Sequence, residues 1–229
     1  MKVGIIGAME EEIRTIKKEL SNVVETTIAH ATFFAGQYQQ HQVVLVQSGI
    51  GKVNAALTTT LMIDHFDVDY LINTGSAGGI GEGLHIGDVV IANRLSYHDV
   101  DVTAFDYEKG QMAGMPLYYE ADDMLVKKAN EAATATGLTT HTGLIVSGDQ
   151  FIHDQGQIDR IHQWFPEVLA NEMEGTAIAQ VAHQFNTPFV VIRAMSDVGD
   201  SDASVNFDDF ILQAGAKSAE MTLSLIAHL

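Results

Sequence analysis

A carboxylate at the end of a buried strand is the first chemically informative feature of the chain. Residues 188–197 read P-F-V-V-I-R-A-M-S-D. Their first half is the β-branched and aromatic run of a strand buried on both faces, and the segment finishes on Ser196 and Asp197. In a parallel α/β sheet, ligands sit in the crevice beyond the carboxyl ends of the strands; Asp also ends strands simply as a turn residue. Several other strand-like segments end the same way, which favours the first reading. The opening strand, K-V-G-I-I-G-A, runs into Met9 and three acids, Glu10, Glu11 and Glu12. Acids complement the positive end of a helix dipole, but three consecutive helical residues point in different directions. Glu12 could therefore face the strand ends or water, and both roles stay open. I-N-T-G-S-A-G-G carries Ser76 and Gly78 in a glycine-rich stretch, read as a turn that either lets backbone amides approach a ligand or merely reverses the chain. V-S-G-D-Q-F-I brings Phe151 and Ile152, N-E-M-E brings Glu172, Met173 and Glu174, and Arg193 lies in the last strand.

Separated carboxylates without Lys, Cys or His partners suit a reaction in which positive charge develops on carbon. Breaking a glycosidic bond toward an oxocarbenium ion is such a reaction, and it needs an acid for the leaving group and a base for water. A further carboxylate can accept two hydrogen bonds from paired sugar hydroxyls, and Phe151 offers a face to a flat base.

Composition narrows the classes. Thirty acids against 12 Lys and Arg give a formal net charge of −18, which argues against nucleic acid and anionic membranes as partners. The absence of Cys excludes thiol chemistry and disulfides and suits a reducing compartment. The apolar run Val3 to Met9 is too short for a signal or a membrane span, so a cytoplasmic protein is expected. None of the 10 His lies within four positions of another, so His98 beside Asp99 and Asp101 is weak support for a metal. G-I-G-K resembles a phosphate loop, but Val53 follows the lysine and Val46 holds the place of the first glycine. No register of the glycines at 75–83 gives a dinucleotide fingerprint. A metal site is not expected.

The elements that must position these residues alternate strand and helix, with no linker and no repeat. The reading is one domain, residues 1–229, a three-layer αβα sandwich around a mostly parallel, twisted sheet. Within it, Ala31 to Gly36 and His41 to Ser48 form a hairpin, Gly51 to Phe66 a helix, and Gln155 to Phe165 a short helix with Trp164 either in the core or packed against a helix. Residues 97–119 are irregular and hold Phe105, Tyr107, Met112 and Met115, which suits a binding rim or a subunit contact.

Seven segments, in order and spanning essentially the whole chain, resemble those of bacterial 5′-methylthioadenosine/S-adenosylhomocysteine nucleosidases of the nucleoside phosphorylase-like superfamily. They are G-I-I-G-A-M-E-E-E, S-G-I-G-K-V-N-A-A, I-N-T-G-S-A-G-G, Y-H-D-V-D-V-T-A-F, G-L-I-V-S-G-D-Q-F-I, E-M-E-G-T-A-I-A and F-V-V-I-R-A-M-S-D. The resemblance implies a homodimer that hydrolyses the adenine–ribose bond of a small nucleoside without metal or cofactor. It implies that Asp197 is the general acid toward the imidazole-ring nitrogen of adenine, which requires a carboxyl that keeps its proton near neutral pH. Glu12 would be the base that holds the attacking water, with Ser76 and Arg193 nearby. Glu174 would grip the ribose hydroxyls and Met173 pack under the sugar. Gly78 and the backbone of Ile152 would contact the substrate, and Phe151 would stack on the base. Met9, Ile50 and Phe207 would form the alkylthio pocket, and Val102 and Phe105 would come from the second subunit. Two residues depart from the pattern: Gly175 stands where Ala follows E-M-E, and Asn171 where a small apolar residue precedes it. Phosphorolysis, or adenine-nucleoside binding without catalysis, are the competing expectations.

Overall fold

The structure, a computed structural model, describes residues 1–198 and 203–229. The buried strand β1 (Lys2–Gly7) delivers the chain to α1 (Glu10–Glu19), and β2 (Ser21–Ile28), β3 (Ala31–Tyr38) and β4 (His41–Gln47) follow as a meander. The glycine turn at 49–51 then opens α2 (Lys52–Phe66), and β5 (Tyr70–Gly79) and β6 (Val89–Tyr97) follow. The irregular region contains a 3₁₀ turn, Thr103–Phe105, and ends at β7 (Tyr119–Glu120). The remainder alternates: α3 (Asp123–Thr136), β8 (Thr140–Ser147), α4 (Gln155–Trp164), β9 (Val168–Glu172), α5 (Gly175–Phe185), β10 (Phe189–Asp197) and α6 (Ala203–Ala227). Asp122 and Asp154 cap α3 and α4 by accepting from the backbone N–H three residues on, as helix starts favour.

Among the described residues ten strands form one sheet, in the order β10-β6-β8-β9-β5-β1-β4-β3-β2, with β7 on β6. β1 is parallel to β4 and β5, β10 to β5, and β8 to β6 and β9. Antiparallel pairing belongs to the β2-β3-β4 meander and to short contacts of β10 and β7 with β6 and of β5 with β9. Because β10 also pairs β5, strands 5, 10, 6, 8 and 9 close a circuit. Helices cover both faces. Ile13 and Ile16 of α1, Leu125 and Ala129 of α3 and Ala214 and Ala219 of α6 fill one side, while Ala55 and Met62 of α2 and Ala177 and Ile178 of α5 fill the other. This is the three-layer arrangement expected.

Three expectations need correction. The glycine-rich stretch is no turn: β5 runs unbroken through Gly79, and its glycines serve close approach instead. A Cβ at Gly75 would fall onto Arg193 Nη1 and 2.6 Å from Glu12 Oε1. Trp164 is not in the core but half exposed, at 51%. The exposed edge strand β2 was not anticipated, because S-N-V-V-E-T-T-I buries neither face and so lacks the alternation that marks a strand. Gly175 begins α5 and donates its N–H to Glu172 Oε2 at 2.7 Å, so the penalty for glycine in a helix interior does not apply there.

Candidate active site

A cavity of about 410 Å³ opens at the carboxyl ends of β5, β9 and β10 and the start of α1. It brings together Met9, Glu12, Ile50, Ser76, Gly78, Phe151, Ile152, Glu172, Met173, Glu174, Arg193, Ser196, Asp197 and Phe207. These come from seven separate stretches of sequence, so the topology itself assembles the cluster.

Glu12 settles its open question by facing inward, 1% exposed. Oε2 accepts from the N–H groups of Ala8 (2.7 Å) and Met9 (3.1 Å), the bend that joins β1 to α1. Oε1 accepts from the N–H of Ser76 at 2.9 Å and its hydroxyl at 3.1 Å. Four donors thus compensate a carboxylate removed from water. One of the four, the Ser76 hydroxyl, can rotate away and leave a lone pair for a ligand.

Arg193, 1% exposed, is the hub of the acidic cluster. Nη2 bonds Glu172 Oε2 closely, Asn73 Oδ1 at 2.7 Å, and lies 3.5 Å from Glu174 Oε2, while Nη1 lies 4.0 Å from Glu12 Oε1. Burial alone would lower the guanidinium's pKa, but Glu172, Glu174 and Glu12 together hold it above its ordinary value. Both Glu172 oxygens already have protein donors: Ser147 Oγ on one, and Arg193 with the N–H groups of Glu174 and Gly175 on the other. Glu172 therefore braces the E-M-E turn at the cavity wall.

Glu174 is the less satisfied carboxylate. It accepts from the Gly51 N–H at 2.9 Å, at the N-terminus of α2, where the dipole favours negative charge. Burial pushes it up to about 8, with Glu172 adding to the effect and Arg193 and the Gly51 amide opposing it. The unfolded chain gives up this proton near 4.5. Between those values the folded protein binds more protons, so its stability falls as pH rises, by roughly 1.4 kcal/mol per unit for one group. Urea unfolding without ligand is expected to show a flatter pH dependence in Glu174→Gln than in wild type across this window. An identical slope in both proteins would place the proton elsewhere.

Asp197 is 2% exposed, and Ser196 Oγ donates to its Oδ2 at 2.9 Å. It ends β10 beside Gly78, with which it is in register. At the cavity mouth Ile50 and Phe151 are 51% and 41% exposed, and the Phe151 and Phe207 rings meet edge-on at 5.9 Å. Val102 and Phe105 do not line the cavity of this chain, and Phe105 is 76% exposed. Asp99 pairs with Lys52 at 2.6 Å and Asp101 with Lys109 at 3.3 Å, so the acids beside His98 are committed to cations. Among the described residues no cluster fits a metal ion.

Sequence reasoning missed Gln150, Asp208 and the amide of Asn171, which also line the cavity, and Asn73, which holds Arg193. Asn73 carried a signal, an amide inside an apolar strand, and Asn171 carried one as a departure from the family pattern.

Fold and site together define the class: the chain belongs to the phosphorylase superfamily, whose family model matches residues 2–227. Within it, the chain is 47% identical over 230 residues to the 5′-methylthioadenosine/S-adenosylhomocysteine nucleosidase of Bacillus subtilis, covering 100% of both. It superposes on the nucleosidase of Neisseria meningitidis in complex with methylthio-immucillin-A with a TM-score of 0.99, at 45% identity, over 100% of this chain and 99% of the other. The Streptococcus pneumoniae nucleosidase in complex with 8-aminoadenine gives a TM-score of 0.97 at 49% identity, over 100% of both chains.

Proposed function

We propose that the protein is a nucleosidase that hydrolyses the N-glycosidic bond of 5′-methylthioadenosine and S-adenosylhomocysteine, with 5′-deoxyadenosine as a further substrate. The products are adenine and the thioribose, a step of methionine salvage and adenosylhomocysteine breakdown. The observation that carries this reading is that Glu12 and Asp197, far apart in sequence, wall one buried cavity large enough for a nucleoside. Asp197 gives its proton to the imidazole ring of adenine, and the electrons of the C1′–N bond leave with the base. Glu12 takes a proton from the water that bonds to C1′. The cation that forms between these events meets the carboxylates of Glu12, Glu172 and Asp208 and the newly ionised Asp197, against Arg193 as the only cation among the described lining residues. Fixed negative charge of this kind lowers the barrier to a cationic transition state. Glu174 accepts from the paired ribose hydroxyls, Met173 packs beneath the sugar, and Gly78 and Ile152 offer backbone groups to the substrate. Phe151 stacks on the base, and Met9, Ile50 and Phe207 surround the alkylthio tail.

The substrate is a small adenine nucleoside, and neither nucleic acid nor membrane is a partner of so acidic a chain. No described helix is long and apolar enough to cross a membrane, and the cytoplasm is the proposed location. The continuous sheet supports one domain over 1–229. The exposed Phe105, with Val102, fits a homodimer in which each subunit completes its partner's pocket.

Membership of a phosphorylase superfamily raises phosphorolysis as the second reading. It needs a free cationic pocket, whereas the Arg193 guanidinium is held by Glu172, Asn73 and Glu174. Adenine release from 5′-methylthioadenosine is expected to proceed equally without inorganic phosphate and to yield the free sugar. A sugar 1-phosphate as sole product would reject hydrolysis.

A further inference from the structure

Helix α2 cannot cap its own start. Gly51, the residue before it, has φ 94° and ψ 161°, a conformation essentially confined to glycine. No Ser, Thr or Asp side chain can therefore sit there to receive the first N–H groups, as helix starts usually require. The acceptors come from far along the chain instead. Glu174 Oε1 takes the Gly51 N–H at 2.9 Å, and Asp149 Oδ1 takes the Lys52 N–H at 2.8 Å. Asp149 is fastened in turn. Its own N–H donates to Asp99 Oδ2 at 3.0 Å, the oxygen that also receives Lys52 Nζ at 2.6 Å, and Asp149 Oδ2 lies 3.9 Å from that ammonium. Asp99, Lys52 and Asp149 thus close a ring that joins the segment after β6, the start of α2 and the loop after β8. The same loop carries Phe151 and Ile152 into the cavity wall.

We propose that Asp149 is a positioning residue: by capping α2 from the base-side loop it holds the Gly51 amide on Glu174, the sugar-side carboxyl. The inference rests on reading Glu174 as the group that grips the ribose hydroxyls. Asp149 does not line the cavity, and its side chain is half exposed; it acts through the helix start. With Arg193, the Gly51 amide favours the ionised form of Glu174 against the effect of burial. A helix start that drifts withdraws this donor, and Glu174 then meets the sugar with one fixed contact fewer. Hydrogen bonds to sugar hydroxyls strengthen in the transition state, so the loss is read in kcat/KM. Water replaces the missing acceptor in part at so exposed a place, which keeps the effect graded.

The test compares Asp149→Ala with Asp149→Asn, which keeps an accepting oxygen and caps helices as well as Asp does. In the ligand-free protein, the Gly51 amide is expected to exchange with deuterium about threefold to tenfold faster in Asp149→Ala, the size of a typical lost cap. In Asp149→Asn it exchanges near the wild-type rate. On 5′-methylthioadenosine, kcat/KM falls by a similar factor of about threefold to tenfold in Asp149→Ala, and Asp149→Asn recovers most of it. In a Glu174→Ala background, where the Gly51 amide has no carboxyl to hold, Asp149→Ala costs no more than about twofold further. Unchanged exchange at Gly51 in Asp149→Ala, Asp149→Asn as damaging as Asp149→Ala, or the same factor in both backgrounds overturns the proposal. If wild type releases no adenine at all, the nucleosidase reading fails, and exchange at Gly51 still decides whether Asp149 holds the helix start.

Discussion

Asp197→Asn is expected to leave nucleoside binding nearly intact while lowering kcat about 10²–10⁴-fold. Asparagine matches the shape of the acid and can still accept from Ser196 Oγ, which lies 2.9 Å from Oδ2. Its amide can donate a hydrogen bond to the purine but cannot transfer the proton. Adenine would then have to leave as an anion, and the site is already crowded with negative charge, so that route is worse here than in water. Single-turnover release of adenine, measured beside equilibrium binding of the substrate, separates the two effects. Near wild-type turnover in this variant would remove Asp197 from the chemistry.

Glu12→Gln should cost a similar factor in turnover, about 10²–10⁴, but it carries a structural penalty that Asp197→Asn does not. Each Glu12 oxygen accepts two protein donors: Ala8 and Met9 N–H on one side, Ser76 N–H and hydroxyl on the other. A glutamine keeps only one accepting end. Its amide nitrogen must confront N–H groups that cannot turn round, and one buried donor left without a partner costs about 1–3 kcal/mol. Lower activity should therefore come with a lower urea midpoint. A variant as stable as wild type would mean that the bend at residues 8–12 rearranges. A variant as active as wild type would mean that the attacking water is activated elsewhere.

Much of this site was legible because its chemistry needs few residue types at recognisable places. Asp197 and Glu172 end apolar strands, Glu12 follows one after a short bend, and apolar strands that end in acids are uncommon enough to notice. The order of strands and helices followed from the alternation of apolar runs with helical periodicity. What sequence could not supply was the third dimension. The stretch from Gly75 to Gly79 looked like a turn because glycine loosens the chain locally, whereas here its missing side chains admit Arg193 and Asp197 from the neighbouring strand β10. β2 escaped notice because an edge strand with both faces exposed has no hydrophobic period. Asn171 was visible as a departure, but its bond to the Gly78 carbonyl exists only once β9 and β5 lie side by side.

That strands 5, 10, 6, 8 and 9 return upon themselves bears on how the groups that do the chemistry keep their places. A ribbon with two free margins can shear or splay, and residues at its tip drift with it. A hoop resists both motions, because displacing any one strand strains two neighbours at once. Arg193 and Asp197 on one stave and Ser76 and Gly78 on the next therefore keep their spacing through rigidity of the backbone, and like charges crowded into the hoop cannot easily push it apart.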